Sequence, residues 1–107
     1  MADALFVLTT VADRANGLAL AQALLERRLA ACVNVGAPVD SLYHWRGRIE
    51  TGREVPVTIK TRASLYAKVE AAIRELHDYE LPEIVAVPIT HGYAPYIGWL
   101  ESESTGA

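Results

Sequence analysis

The sequence predicts an α+β protein of the ferredoxin-like type. The predicted order is βαββαβ, with two helices on one face of a four-stranded antiparallel sheet and a short C-terminal helix. Two helix-period segments alternate with short strand-like segments along the chain. Residues 39–45 and 54–60 each alternate between two faces on either side of Gly47, which is typical of an antiparallel hairpin. A chain of 107 residues has room for one domain, so 1–107 are assigned to a single domain.

The first half of the chain begins with a short apolar run. Residues 4–10 predict a buried strand, and Asp13 is placed to cap the helix that follows. The apolar stripe of this helix is assigned to Leu18, Ala21, Leu25 and Leu29, with Leu20 and Leu24 beside it. Cys32 starts the second strand, which leads into the hairpin.

The second half contains the clearest helical pattern. Ser64 is expected to cap this helix. Its apolar positions are Leu65, Val69, Ala72, Ile73 and Leu76. Residues 84–89 predict the last strand, where Pro88 suits a sheet edge because proline cannot donate to a ladder. For the same reason Pro56 is expected near the start of its strand, beside only one neighbour.

The last segment predicts a short helix over 93–101, opened by Pro95. The polar tail 102–107 is expected to be loose.

Composition excludes several classes of protein. Hydrophobic residues make up 51% and charged residues 21%, as in ordinary globular proteins. The formal charge of −3 argues against a nucleic-acid partner, which needs clustered lysine and arginine. One cysteine cannot form an intrachain disulfide, and no segment approaches the ~20 apolar residues of a membrane span. The N-terminus lacks a signal-peptide pattern, so we expect a cytoplasmic protein with no membrane partner.

The uncovered face of the predicted sheet favours self-association. Two helices cover only one face of the sheet, and the other face would expose a large apolar patch. Residues of the type that anchor interfaces are Tyr43, Trp45, Tyr96 and Trp99. The alternative is that these aromatic side chains close the ends of the subunit's own core.

Five segments, in order and spacing, resemble the CutA family of divalent-cation-tolerance proteins. They are LAACVNV, SLYHWRGRIE, EVPVTIKT, ELHDYELPEI and YIGWL, and the similarity runs from about Leu5 to Leu100. The resemblance implies a ferredoxin-like fold and a homotrimer in which long hairpins pair with neighbouring subunits. It further implies a role in tolerance to, or binding of, divalent metals, copper especially, with no established catalytic reaction.

Two positions depart from the family pattern. Some members carry a copper-linked cysteine in the first strand, where this chain has Thr9. Members commonly read HPYE after the second helix, where this chain has Asp78 after His77. The first departure removes a soft ligand, and the second adds either an oxygen ligand or a polar turn.

The candidate metal ligands are His77, Cys32, Asp78 and Glu80. Imidazole and thiolate suit copper or zinc, and carboxylates add oxygen donors. Each has a structural alternative, because a cysteine in a strand is often a small buried hydrophobe and a histidine at a helix end often binds free carbonyl groups. His44 and His91 are interpreted as surface or interface residues.

Signatures of catalysis are missing from the sequence, which contains no G-x-S-x-G, H-E-x-x-H or C-x-x-C. The pair Glu80 and Glu83 flanks a Leu-Pro dipeptide, which indicates a rigid connection. We therefore expect a protein that is not an enzyme. Besides a copper-binding or other divalent-metal-binding trimer, two hypotheses stay open: a trimeric small-molecule or nucleotide sensor like the PII proteins, and a purely structural or interaction trimer.

Overall fold

A computed structural model describes residues 3–107 of the chain. The elements are β1 (Ala4–Val11), α1 (Arg14–Glu26), β2 (Cys32–Val35), β3 (Val39–Trp45), β4 (Arg48–Arg62), a 3-10 turn (Ala63–Leu65), α2 (Tyr66–Leu76), β5 (Val85–Pro88) and α3 (Ala94–Glu103). The predicted element order is therefore confirmed, and the short C-terminal helix is present.

The sheet is antiparallel and has the order β2-β4-β1-β5, with β3 paired to the first half of β4. This is the predicted ferredoxin-like arrangement, with five strands rather than four. The predicted second strand is split in two because the chain bends at 36–38, where Pro38 has no N–H for a ladder. As expected for a proline-containing strand, β5 lies at the sheet edge, where Pro88 is in register with Leu5.

Pro56 does not lie near the start of its strand, as the sequence analysis expected. It is the ninth residue of the 15-residue β4 and is in register with Thr10 of β1. On its other side, β4 changes partner from β3 to β2 between Glu54 and Val57. The missing N–H of Pro56 thus coincides with the change of partner, where its carbonyl accepts from Gly36.

The core lies between the sheet and helices α1 and α2. Val55, Val57 and Ile59 of β4 are buried against it, which confirms their predicted alternation. The seam of α1 is formed by Gly17, Leu20, Ala21 and Leu24, so the predicted stripe was wrong at Leu18 and Leu25, which are 50% and 39% exposed. Gly17 turns the helix this way because it allows close approach to the sheet: a Cβ there would lie 2.9 Å from Cγ1 of Val35.

The opposite face of the sheet is only partly covered. Ile97 and Leu100 of α3 pack on Ala4 at one end of that face. Large apolar side chains stay exposed at Val85 and Val87 of β5, at 48% and 45%, and at Trp99 of α3 itself, at 43%. The subunit therefore presents the apolar surface that the sequence predicted.

Helix capping agrees with the sequence at one helix and not at the other. Asp13 caps α1 by accepting from the Asn16 N–H at 2.8 Å. Ser64 does not cap α2, which begins at Tyr66. Instead Ser64 lies in the 3-10 turn, and its N–H donates to the Asp3 carboxylate at 3.1 Å. Asp3, the residue just before β1, therefore accepts from a free backbone N–H of this turn.

The C-terminal tail is docked rather than loose. Ser104 is fully buried, and its hydroxyl donates to the Leu100 carbonyl at 2.6 Å. The Gly106 N–H donates to the Arg28 carbonyl at 2.8 Å. Its φ of +77° suits glycine, and a Cβ there would lie 2.7 Å from Leu65 Cδ2.

Replacing Asp3 tests the capping of the 3-10 turn. The Arg62 hydrogen bond, followed by bonds from Ser64, lowers the pKa of Asp3 below its ordinary 3.8. Because the folded pKa lies below the unfolded one, the stabilisation is complete above pH 3.8 and is lost as pH falls through the folded pKa. Asp3→Asn should lower the free energy of unfolding in urea at pH 7 by about 1–2 kcal/mol.

The matched control is Asp40→Asn, which removes a carboxylate that is 73% exposed and 3.8 Å from Arg53. We expect a change close to zero, because exposed ion pairs contribute little. Equal losses in the two variants would contradict the role given to Asp3.

Candidate functional site

The hairpin of β3 and the first part of β4 projects from the sheet as a two-stranded ribbon, residues 39–54. Its strands pair with each other, and within residues 3–107 neither ribbon strand has a partner on its outer edge. The molecule measures 45 × 26 × 23 Å. At the ribbon's corner Arg46 has a φ of +50° and donates to Glu80 at 3.0 Å, which joins the corner to the segment after α2.

A cleft of about 670 Å³ lies between the ribbon and this segment. Its walls are lined by Ser41, Leu42, Tyr43, His44, Trp45, Glu54, Tyr79, Glu80, Leu81 and Glu83, with Thr10 at the end of β1. Three carboxylates and three large aromatic side chains line it, and no lysine or arginine does. The cleft is thus acidic and aromatic.

Four residues at one end of the cleft form a connected hydrogen-bond network. The Thr10 hydroxyl donates to the Glu54 carboxylate at 3.1 Å. The His77 ring meets the Thr10 carbonyl at 2.6 Å through Nε2. The Tyr79 N–H donates to His77 Nδ1 at 3.1 Å, and the two rings pack edge to face at 4.5 Å. The Tyr79 phenol also lies close enough to Glu54 for this carboxylate to affect its pKa.

The Tyr79 phenol has a strongly altered acidity. Burial raises its pKa to about 12, and a hydrogen bond to Glu54 and the charges of Glu54 and Asp78 add to the shift. All of these disfavour the phenolate. Tyr79 is therefore a neutral hydrogen-bond donor at any physiological pH.

The candidate metal ligands do not converge within one subunit. Asp78 and Glu80 expose their carboxylates, at 74% and 69%. His77 is 1% exposed, and Asp78 Oδ1 lies 3.9 Å from its Nδ1. In the part of the chain that the structure describes, no three histidine, cysteine, aspartate or glutamate side chains are grouped to hold a metal.

Cys32 lies apart from the other three candidates. It begins the edge strand β2 and is in register with Lys60, which is in register with Phe6 of β1. His77 contacts Thr10, four residues further along β1, which is roughly 13 Å at strand spacing. The four residues of one subunit therefore do not fit a metal centre by themselves. Thr9, which the sequence analysis singled out as a departure from the family pattern, is buried on the core face.

Thr10, Glu54 and Tyr79 were not predicted from the sequence as site residues. They come from three separate segments, and no short motif joins them. The one sequence signal for any of them was the position of Tyr79, two residues after His77 and between the candidate ligands Asp78 and Glu80. Of the described residues, none forms a helix with the length and apolar character needed to cross a membrane.

The fold and the projecting ribbon define the class of protein. The chain belongs to the family described as CutA1 divalent ion tolerance protein, whose model matches residues 5–103. The family that the sequence resembled is thereby confirmed.

Relatives share this assignment. The divalent-cation tolerance protein CutA of Thermus thermophilus is 40% identical over 100 residues, covering 94% of this chain and 96% of that protein. The chloroplastic protein CutA of Arabidopsis thaliana is 37% identical over 98 residues, covering 92% of this chain and 54% of that protein. The chain thus spans about half the length of this plant relative.

Solved structures agree with the fold over nearly the whole chain. CutA1 from Shewanella sp. SIB1 superposes with a TM-score of 0.92 at 38% identity, covering 95% of both chains. CutA1 from Oryza sativa superposes with a TM-score of 0.94 at 33% identity, covering 98% of this chain and 96% of that one.

Alkaline unfolding tests the environment of Tyr79. A folded pKa of about 12 against an ordinary 10.0 means that its stabilisation is complete below pH 10 and is lost as pH rises towards 12. The free energy of unfolding of the wild type should therefore fall over this range, and Tyr79→Phe should flatten that fall. Tyr93→Phe, at a side chain that is 77% exposed, is the control and should leave the slope unchanged. A wild-type slope in Tyr79→Phe would refute the assignment.

Proposed function

We propose that this protein is a homotrimer that acts in the cellular response to divalent cations, copper above all. The observation that carries the proposal is the ribbon, whose outer edges have no partner in the described subunit. Unpaired edges need cover from another chain. Its exposed apolar side chains, Leu42 at 69% and Ile49 at 70%, support the same conclusion, as does membership of the family.

Cation binding in this proposal uses donors from more than one subunit. Asp78 and Glu80 offer exposed carboxylates, and Cys32 offers a partly exposed thiol. Association of subunits is what would bring the thiol of one chain near the carboxylates of another. Relatives named for divalent-cation tolerance support the role.

A non-catalytic role in the cytoplasm completes the proposal. Family names that refer to tolerance rather than to a reaction support the first part. The single cysteine, which needs no oxidising compartment, supports the second. Relatives named as chloroplastic or periplasmic occur in the family, so the compartment rests on this chain's own features.

The cleft supports a second candidate function, the sensing of a small molecule. Its volume of about 670 Å³ is in the range of ligand sites, and its aromatic walls and convergent polar groups are typical of them. Glu54 and Glu83 would repel the phosphates of a nucleotide, whereas the charge of Glu80 is paired with Arg46. A neutral or positively charged metabolite therefore suits the cleft better than a nucleotide does.

Sedimentation tests the assembly. The wild type should sediment at about 35 kDa, three times its chain mass of 11.7 kDa. Leu42→Asp and Ile49→Asp should yield folded single chains, because burying an unpaired carboxylate at an interface costs several kcal/mol. Leu18→Asp, on the half-exposed side of α1, is the control and should remain assembled. A folded wild type of single-chain mass at micromolar concentration would exclude the trimer.

Equilibrium dialysis with Cu(II) tests the cation site. Glu80→Gln, Asp78→Asn and Cys32→Ser should each weaken binding, by roughly 10-fold or more where a ligand is lost. Glu75→Gln is the matched control, because Glu75 is also exposed and bonded to an arginine, Arg27 at 2.8 Å. Unchanged binding in all three variants would remove these residues from the site.

A further inference from the structure

We propose that His77 is a positioning residue and that it does not bind metal. It holds in place Tyr79 and the end of the cleft where Thr10, Glu54 and Tyr79 meet, which we call the floor of the cleft. The inference rests on the proposed sensing role of the cleft. It gives His77 a structural role in place of the metal binding for which histidine is better known. His77 does not line the cleft itself, so its effect must pass through Tyr79 and Thr10.

The two hydrogen bonds of the ring define its proton. The Tyr79 N–H is a donor, so Nδ1 must accept and carries no hydrogen. The Thr10 carbonyl is an acceptor, so Nε2 must carry the hydrogen and donate. His77 is therefore the neutral Nε2–H tautomer, and its only lone pair is at Nδ1.

The contact at Nδ1 separates this role from metal binding. A metal-binding histidine also commonly donates its other N–H to a carbonyl, so the bond to Thr10 fits both roles. A metal, however, would need the Nδ1 lone pair that the Tyr79 N–H already uses. Binding would leave that N–H without its partner and would require the ring, now 1% exposed, to be reached from solvent.

The same contacts explain what His77 holds in place. It ends α2 as the C-cap residue, at an extended backbone conformation that leads the chain back to the sheet. Its ring then joins the end of β1 to the backbone of Tyr79. Tyr79 is thereby held near Glu54, which is itself bonded to Thr10. The polar floor of the cleft thus depends on a ring that is outside the cleft.

Two substitutions divide the ring's two bonds. In His77→Asn the side-chain oxygen lies roughly where Nδ1 does, so it can accept from Tyr79 but cannot reach Thr10. In His77→Gln the amide nitrogen lies roughly where Nε2 does, so it can donate to Thr10 but leaves Tyr79 without its acceptor. The pair matches in polarity and differs in which contact survives.

Nuclear magnetic resonance of the ¹⁵N-labelled protein provides the test, with Zn(II) as a diamagnetic probe. In the wild type we expect His77 Nε2 to be protonated and Nδ1 to be unprotonated, with and without saturating Zn(II). Hydrogen exchange of the Tyr79 amide should accelerate roughly 10-fold or more in His77→Gln and stay near the wild-type rate in His77→Asn.

Each result decides the question. A metal-bound shift at His77 Nδ1 on adding Zn(II), or equal exchange of Tyr79 in the two variants, would overturn the proposal. The wild-type imidazole measurement decides it even if both variants fail to fold. If Zn(II) binds nowhere on the wild type, the exchange of the Tyr79 amide in the two variants still judges the positioning role of His77, and the Cu(II) dialysis judges the cation function separately.

Discussion

A single strand, β4, holds the two parts of this molecule together. Its second half lies between β1 and β2 and forms the floor of the core, whereas its first half leaves the sheet as one arm of the ribbon. One continuous backbone therefore belongs to both the sheet and the ribbon. Pro56 marks the change, where a missing N–H costs nothing to a strand that is exchanging partners. The cleft lies between the ribbon and the segment after α2, which the Arg46–Glu80 ion pair joins at the ribbon's corner.

The acidity of the Tyr79 phenol depends on the groups that surround it in the cleft. Glu54 accepts a hydrogen bond from the Thr10 hydroxyl and lies close enough to the Tyr79 phenol to affect its pKa. That charge in turn keeps the phenol protonated, because a nearby carboxylate disfavours phenolate. The Tyr79 phenol therefore stays protonated at neutral pH without a charged group from outside the network.

The name of the family and the geometry of one subunit point to different chemistry. Tolerance of divalent cations suggests a metal site, yet His77 is buried with both nitrogens engaged and Cys32 lies on another strand. The exposed oxygen donors are on the segment after α2, next to the ribbon that we propose pairs with a neighbour. In this proposal cation binding depends on assembly, because the Cys32 thiol and the carboxylates of Asp78 and Glu80 come together only between subunits.

The sequence by itself determined the order of the elements, the hairpin, the cap at Asp13 and the family, because each depends on residues adjacent in the chain. Only the tertiary structure decided that Asp3 satisfies the turn at Ser64 and that Gly17 turns α1 towards the sheet. The network of the cleft belongs to the same group. Thr10 meets Glu54 and His77 across separations of 44 and 67 residues, and periodicity holds no information about contacts that only the folded chain creates.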